Sequence, residues 1–320
     1  MTFIEELKSK IKEKRNIRDS SLNAYIFNIN KLHKLIFDKE VENLKFLKDK
    51  EKVMKAIEEK KLSTRKSYLA SIVVSLMAMS EDEDLIKFYR TEMEDLAKKF
   101  NEEMGEQRKS ETQDKNWVSL DKLRKVMRKY RNELNEKKIF QKEPDSLTNK
   151  EFDLLQKWVV SSLYILDDNP PLRNDYLMKV ISQKDYDKLT EEDKKKQNYL
   201  VNKSRNTKIF SLGEYKTAGK YGTKLIPVGK KLNSVLNIWL KFNTTGNLLL
   251  NSRKEPMTSN GLTKYLNKTF EPSGKNNISS SMIRHIFITD KFPPQLKEKE
   301  EVASKMGHSV AQQELYAKKN

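Results

Sequence analysis

The chain has no cysteine, and that absence alone removes thiol nucleophiles, disulfides and cysteine-based metal sites. Histidine is scarce too: His33, His285 and His308 include no pair at metal-ligand spacing, so neither zinc nor another metal is expected. No apolar signal region follows Met1-Thr2-Phe3-Ile4-Glu5-Glu6, and no run approaches the roughly 20 apolar residues of a membrane helix. A soluble, intracellular protein is expected.

What the chain has in excess is positive charge. Its 64 lysines and arginines outnumber 46 acidic residues, a formal balance of +18 that points to a polyanion, of which nucleic acid is the commonest. The ordinary alternative is a lysine-rich surface that serves solubility. Residues 1–100 hold 22 basic and 18 acidic side chains, so +14 of the excess falls after residue 100. At 320 residues there is chain enough for two domains, each with its own core.

Residues 1–104 read as a helical domain. Thr2-Phe3-Ile4-Glu5 has the form of a capping box, followed by Ile4, Leu7 and Ile11 at helical spacing. Leu22, Tyr25, Ile26, Ile29, Leu32 and Ile36 form one stripe of a second helix. A third helix is expected over residues 50–59 and a fourth from Ser63, read as its N-cap, through Tyr68, Leu69, Ile72, Val73, Leu76 and Met77. The acidic run Glu81-Asp82-Glu83-Asp84 suits the start of a fifth, where the helix dipole favours negative charge. Arg65 and Lys66, near the start of the fourth helix, are candidates to reach a phosphate, although a solvated helix end is the ordinary reading of a single basic residue.

The polar stretch 105–117 reads as a linker, allowing two domains to open and close around a duplex. Beyond it, residues 118–320 begin with two core-type helices, one capped by Ser119 and one spanning residues 147–166. The run Asp167-Asp168-Asn169-Pro170-Pro171 then breaks the chain, and proline in a first turn places Arg173 at an expected helix start. Three short β-type runs follow, Tyr199-Leu200-Val201, Thr207 to Leu212 and Lys224 to Val228, predicting a small three-stranded antiparallel sheet. Between the last two lies a basic hairpin, Glu214-Tyr215-Lys216-Thr217-Ala218-Gly219-Lys220-Tyr221-Gly222-Thr223-Lys224. A serine run, Ser279-Ser280-Ser281, opens a helix carrying Arg284 on the face of Ser281, and a further helix is expected to end at Met306-Gly307 before His308 and Tyr316 close the sequence.

The order Pro171-Leu172-Arg173-Asn174-Asp175-Tyr176, Lys216-Thr217-Ala218-Gly219 with Ile226-Pro227-Val228, then Arg284, His308 and Tyr316 resembles the signature of the tyrosine recombinases, the lambda-integrase family. The stretch Ser63-Thr64-Arg65-Lys66-Ser67-Tyr68-Leu69 is similar, in pattern only, to part of that family's core-binding domain. The resemblance implies a mainly α fold with a small antiparallel sheet, in which a helical core-binding domain joins an α+β catalytic domain. It implies catalytic roles for Arg173, Lys216, Arg284, His308 and Tyr316, with Asp175 and Ser281 in support and Arg65, Lys66, Lys220 and Lys224 touching DNA. Lys220 and Lys224 remain rivals to Lys216, since hairpin length varies. One departure stands out: Ser281 occupies a position that is commonly histidine, and a hydroxyl can donate to a phosphate oxygen but cannot carry charge. His285, about 100° round the helix from Arg284, does not replace it and reads as structural.

The activity so implied is site-specific cleavage and rejoining of double-stranded DNA through a 3′-phosphotyrosyl link, with no metal or nucleotide cofactor. A homotetramer on paired sites, and a virus or other mobile element as source, are the family's expectations. The same residue set also serves type IB topoisomerase-like enzymes, and a silent DNA-binding relative of the same fold is a further alternative. Eight residues of unbroken helix would separate His308 and Tyr316 by about 12 Å, so a bend is expected between them. With Ala317 to Asn320 after the tyrosine, subunit contacts are expected from other segments.

Overall fold

The computed structural model describes residues 2–80, 82–105, 108–291, 302, 305 and 306, in two compact units, 1–108 and 109–320. The expectations for His308, Tyr316 and the bend between them lie outside the described residues.

The first unit is helical. Helix α1 (Phe3–Lys14) opens with the Thr2/Glu5 capping box, in which Thr2 N donates to Glu5 Oε2 at 2.8 Å and the Thr2 hydroxyl accepts from Glu5 N. Helix α2 (Asp19–Phe37) buries Leu22, Ile26, Ile29 and Leu32, and α3 (Lys50–Glu58) is capped by Asp49. Helix α4 (Leu62–Met79) begins one residue before Ser63. Ser63 therefore lies within the first turn and is not the N-cap; that position falls to Lys61, whose side chain makes no capping bond. Packed against α1, α2 and α5 (Glu83–Gly105), α4 is enclosed on nearly all sides, which is why its apolar residues run round the helix rather than along one stripe. Asp82 accepts from Leu85 N and so caps α5.

In the second unit, the stretch read as linker contains a short helix, α6 (Glu111–Asn116), with its own Ser110/Gln113 capping box. Helix α7 (Leu120–Glu136) starts at the Ser119 cap, and α8 (Asn149–Ile165) starts at a Thr148/Glu151 box. Leu155, Val159, Val160 and Leu163 of α8 are fully buried at the centre of this unit. The sheet has four strands in the order β1 (Lys179–Ser182), β2 (Asn198–Ser204), β3 (Thr207–Leu212) and β4 (Lys224–Pro227). The three predicted strands are present and antiparallel; β1 is additional and runs parallel to β2, so the sheet is mixed. A parallel neighbour requires a crossover, and the chain provides it through α9 (Gln183–Asp187) and α10 (Glu191–Lys196). Four residues, Lys-Val-Ile-Ser, are too short a run to announce a strand by alternation.

One lysine is part of this core. Lys208 on β3 is 1 % exposed, and its ammonium donates to the side-chain oxygens of Asn233 and Asn237 on α12 (Lys230–Phe242). The same two amides donate to the Arg205 carbonyl, fastening the β2–β3 turn to α12. The second unit also includes α11 (Ala218–Tyr221), α13 (Ser259–Phe270) and α14 (Ser280–Lys291). The described residues are thus mainly α with a small sheet.

Candidate active site

Helix α8 ends at Ile165, and the chain passes Pro170 and Pro171 without starting the helix expected at Arg173. Three hydroxyl contacts explain why. Tyr164 Oη donates to the Arg173 carbonyl at 2.7 Å, Tyr176 Oη donates to the Leu163 carbonyl at 2.8 Å, and Leu172 N donates to Tyr176 Oη. Backbone groups that a helix would use are engaged by buried side chains. The segment closes as a turn, with Leu177 N donating to the Asn174 carbonyl, and enters β1 at Lys179. Arg173 is exposed on that turn, without the helix N-terminus its sequence context predicts. The Tyr164 and Tyr176 rings meet edge to face at 5.1 Å, and burial pushes both hydroxyls well above the usual tyrosine range, so they act as neutral hydrogen-bonding groups.

Two later helices dock on the same turn. Arg284 of α14 donates from Nη1 to the Pro171 carbonyl at 2.7 Å, across 113 residues of sequence. Ser280, at the start of α14, donates to Asn174 Oδ1 at 2.9 Å, and Asn174 Nδ2 donates to the Ser259 hydroxyl at the start of α13 at 2.8 Å. Asn174 thereby ties both helix starts to the arginine turn. Asp175 lies within the electrostatic reach of both Arg173 and Arg284. Burial pushes its carboxyl above the ordinary range, and the two guanidiniums with the Arg173 N–H pull against that rise without cancelling it. Arg284 is half-buried, while Ser281 is exposed.

The lysine-bearing segment is joined to this turn by one side chain. Asn198, at the start of β2 and 5 % exposed, donates to the Asp175 carbonyl at 3.3 Å and to the Glu214 carbonyl at 2.8 Å, and accepts from Glu214 N at 2.9 Å. Just before Glu214, the Gly213 backbone runs so close to α10 that an added Cβ would sit 1.8 Å from the Lys194 carbonyl oxygen. Beyond these two restraints the segment is not a plain hairpin, because the helical turn α11 interrupts it. Lys216 is exposed in the turn before α11, whereas Lys220 lies over the Tyr221 ring and Lys224 over both Tyr215 and Tyr221. Tyr215 is buried and donates to the Gly222 carbonyl.

No family model and no curated protein matches the chain. Among solved structures it is similar to the crystal structure of XerA recombinase, at 11 % identity over 99 % of this chain and 93 % of that one, with a TM-score of 0.33.

The remaining candidates are spread more widely. Arg65 is half-buried on α4, where it lines an open groove with Leu96, Lys99 and Glu102, and its Nε is buried without a hydrogen-bond partner. Lys66 lies over the Phe100 ring at 5.3 Å. His285 is exposed on α14 beside Arg284. Among the described residues no group of three or more histidine or acidic side chains is placed to hold a metal, and no helix is long and apolar enough to cross a membrane. Sequence reasoning missed Tyr164, Asn174, Asn198 and Gly213. The available signal was local incongruity: an asparagine opening an apolar β run and a glycine closing one are both disfavoured in strands and invite a specific explanation.

Proposed function

We propose that the chain is a DNA strand transferase of the tyrosine-recombinase type. The observation that carries the reading is the hydrogen bond from Arg284 to Pro171, which brings the second arginine onto the turn that presents the first. Breaking a phosphodiester without a metal requires fixed cations for the charge accumulating on its non-bridging oxygens, and guanidiniums meet that need with paired, planar N–H donors. In this reading Tyr316 Oη loses its proton to water and forms a bond to phosphorus while the bond to the 5′-oxygen breaks. Lys216 gives that leaving oxygen its proton, and Arg173, Arg284 and His308 hold the non-bridging oxygens. The phosphotyrosyl link conserves the energy of the broken bond, so a 5′-hydroxyl can later reverse the step without a nucleotide cofactor. Asp175 acts as the counter-charge that orients both arginines, and Ser281 donates a neutral hydrogen bond. Site-specific recombination by a homotetramer is the assembly this chemistry serves.

A nicked suicide substrate, which loses its 5′-hydroxyl fragment after cleavage, tests the proposal. The full chain is expected to trap a covalent DNA adduct and the Tyr316→Phe variant to trap none. Equal trapping by both, or none by either, rejects Tyr316 as nucleophile. Relaxation of supercoiled plasmid without pairing of two sites would assign the same chemistry to a topoisomerase.

A further inference from the structure

The carboxamide of Asn198 has no role in the chemistry just proposed, yet it makes three hydrogen bonds from a buried position. Two of them, to Glu214 N and to the Glu214 carbonyl, reproduce what a peptide group on a neighbouring strand would offer. Backbone pairing of β2 with β3 ends at the Asn198–Leu212 pair, so this side chain extends the ladder two residues further along β3's continuation. The extension stops two residues before Lys216. The third bond, to the Asp175 carbonyl, reaches the turn that carries Arg173 and receives Arg284. A buried side chain with one acceptor and two donors, all engaged, fixes the spacing of the segments it bridges, because any shift leaves a buried polar group unpaired. Gly213 closes the other side, since its backbone rests against the Lys194 carbonyl where no side chain fits.

We propose that Asn198 is a positioning residue that holds the Lys216 segment in register with the Arg173 turn, so that the proton donor meets a phosphate already gripped by the arginines. The inference rests on the reading of that segment as the source of the leaving-group proton. A carboxylate at position 198 would keep the bond from Glu214 N but would face two carbonyl oxygens with no hydrogen to offer. Alanine would remove all three bonds. Either change releases the segment while leaving Lys216 itself intact.

The test compares two suicide substrates, one with the natural 5′-oxygen at the scissile phosphate and one with sulfur in its place, a leaving group that departs without protonation. With oxygen, Asn198→Ala and Asn198→Asp are expected to slow single-turnover cleavage about a hundredfold, the scale of lost general-acid catalysis. With sulfur, both should recover to within about tenfold of the unaltered chain on that substrate, as should Lys216→Ala. Arg173→Ala should stay slow on both. A defect of equal size on oxygen and sulfur, or no defect on oxygen, overturns the positioning role, and Asn198→Asp carries the comparison if Asn198→Ala does not fold. Recovery of the Asn198 variants without recovery of Lys216→Ala would keep the positioning role and move the proton donor to Lys220 or Lys224.

Discussion

Arg284 Nη1 donates to the carbonyl of Pro171 at 2.7 Å, which makes the second candidate arginine a structural support of the turn that displays the first. The two arginines are therefore not equivalent. Arg173 is exposed, and Arg173→Lys should leave thermal stability unchanged while cleavage falls about a hundred- to a thousandfold, the cost of one preorganised donor. Arg284→Lys should lose cleavage on the same scale and also lower Tm, because a lysine cannot keep the guanidinium geometry over Pro171. Parallel melting curves and single-turnover assays separate the two effects.

Asp175 offers a pH test. Its folded-state pKa is raised, so between the unfolded and the folded values the folded chain binds more protons, and stability falls as pH rises through that window. Above it the cost of a half-buried charge is fully present. Asp175→Asn is expected to raise Tm at neutral pH, with the gain vanishing as pH falls below the ordinary carboxylate range. A gain that is independent of pH would show that the charge is not its source.

Gly213 and Gly219 form a contrasting pair, each three residues from Lys216. An added methyl at Gly213 meets the Lys194 carbonyl, whereas at Gly219 nothing lies within 4 Å. Gly213→Ala should destabilise by about 1–3 kcal/mol through overpacking, read by urea denaturation. Gly219→Ala, in the short helix α11, should be neutral or stabilise by about 0.4–1 kcal/mol.

The charge balance of +18 predicts strongly salt-dependent DNA binding. Each neutralised phosphate releases counterions, so a chain contacting 6–10 phosphates should lose about 10³–10⁵ in affinity between 50 and 200 mM salt. A flat response in a titration series would remove duplex DNA as the polyanion.

Much of the fold follows from local chemistry. The Thr2/Glu5 and Thr148/Glu151 boxes, the Ser119 cap and the stripe from Leu22 to Leu32 are each legible because a helix writes its period and its unsatisfied N–H groups into nearby residues. Ser63 misled for the same local reason: a serine before an apolar run has the look of a cap, but α4 starts one residue earlier, at Leu62, which packs partly buried against the core of its unit.

By itself the sequence determined the charge, the absence of thiol chemistry, the helical period and the order in which Arg173, Lys216 and Arg284 occur. Only the tertiary structure decided that Arg173 sits on a turn held by Tyr164 and Tyr176, and that Asn198 ties that turn to the lysine segment. Those links join residues 9 to 23 positions apart, across breaks between elements where neither the helical nor the strand period operates. Buried hydroxyls and a carboxamide form them because in the folded interior each must find a partner, and the partner is set by which segments the core brings together.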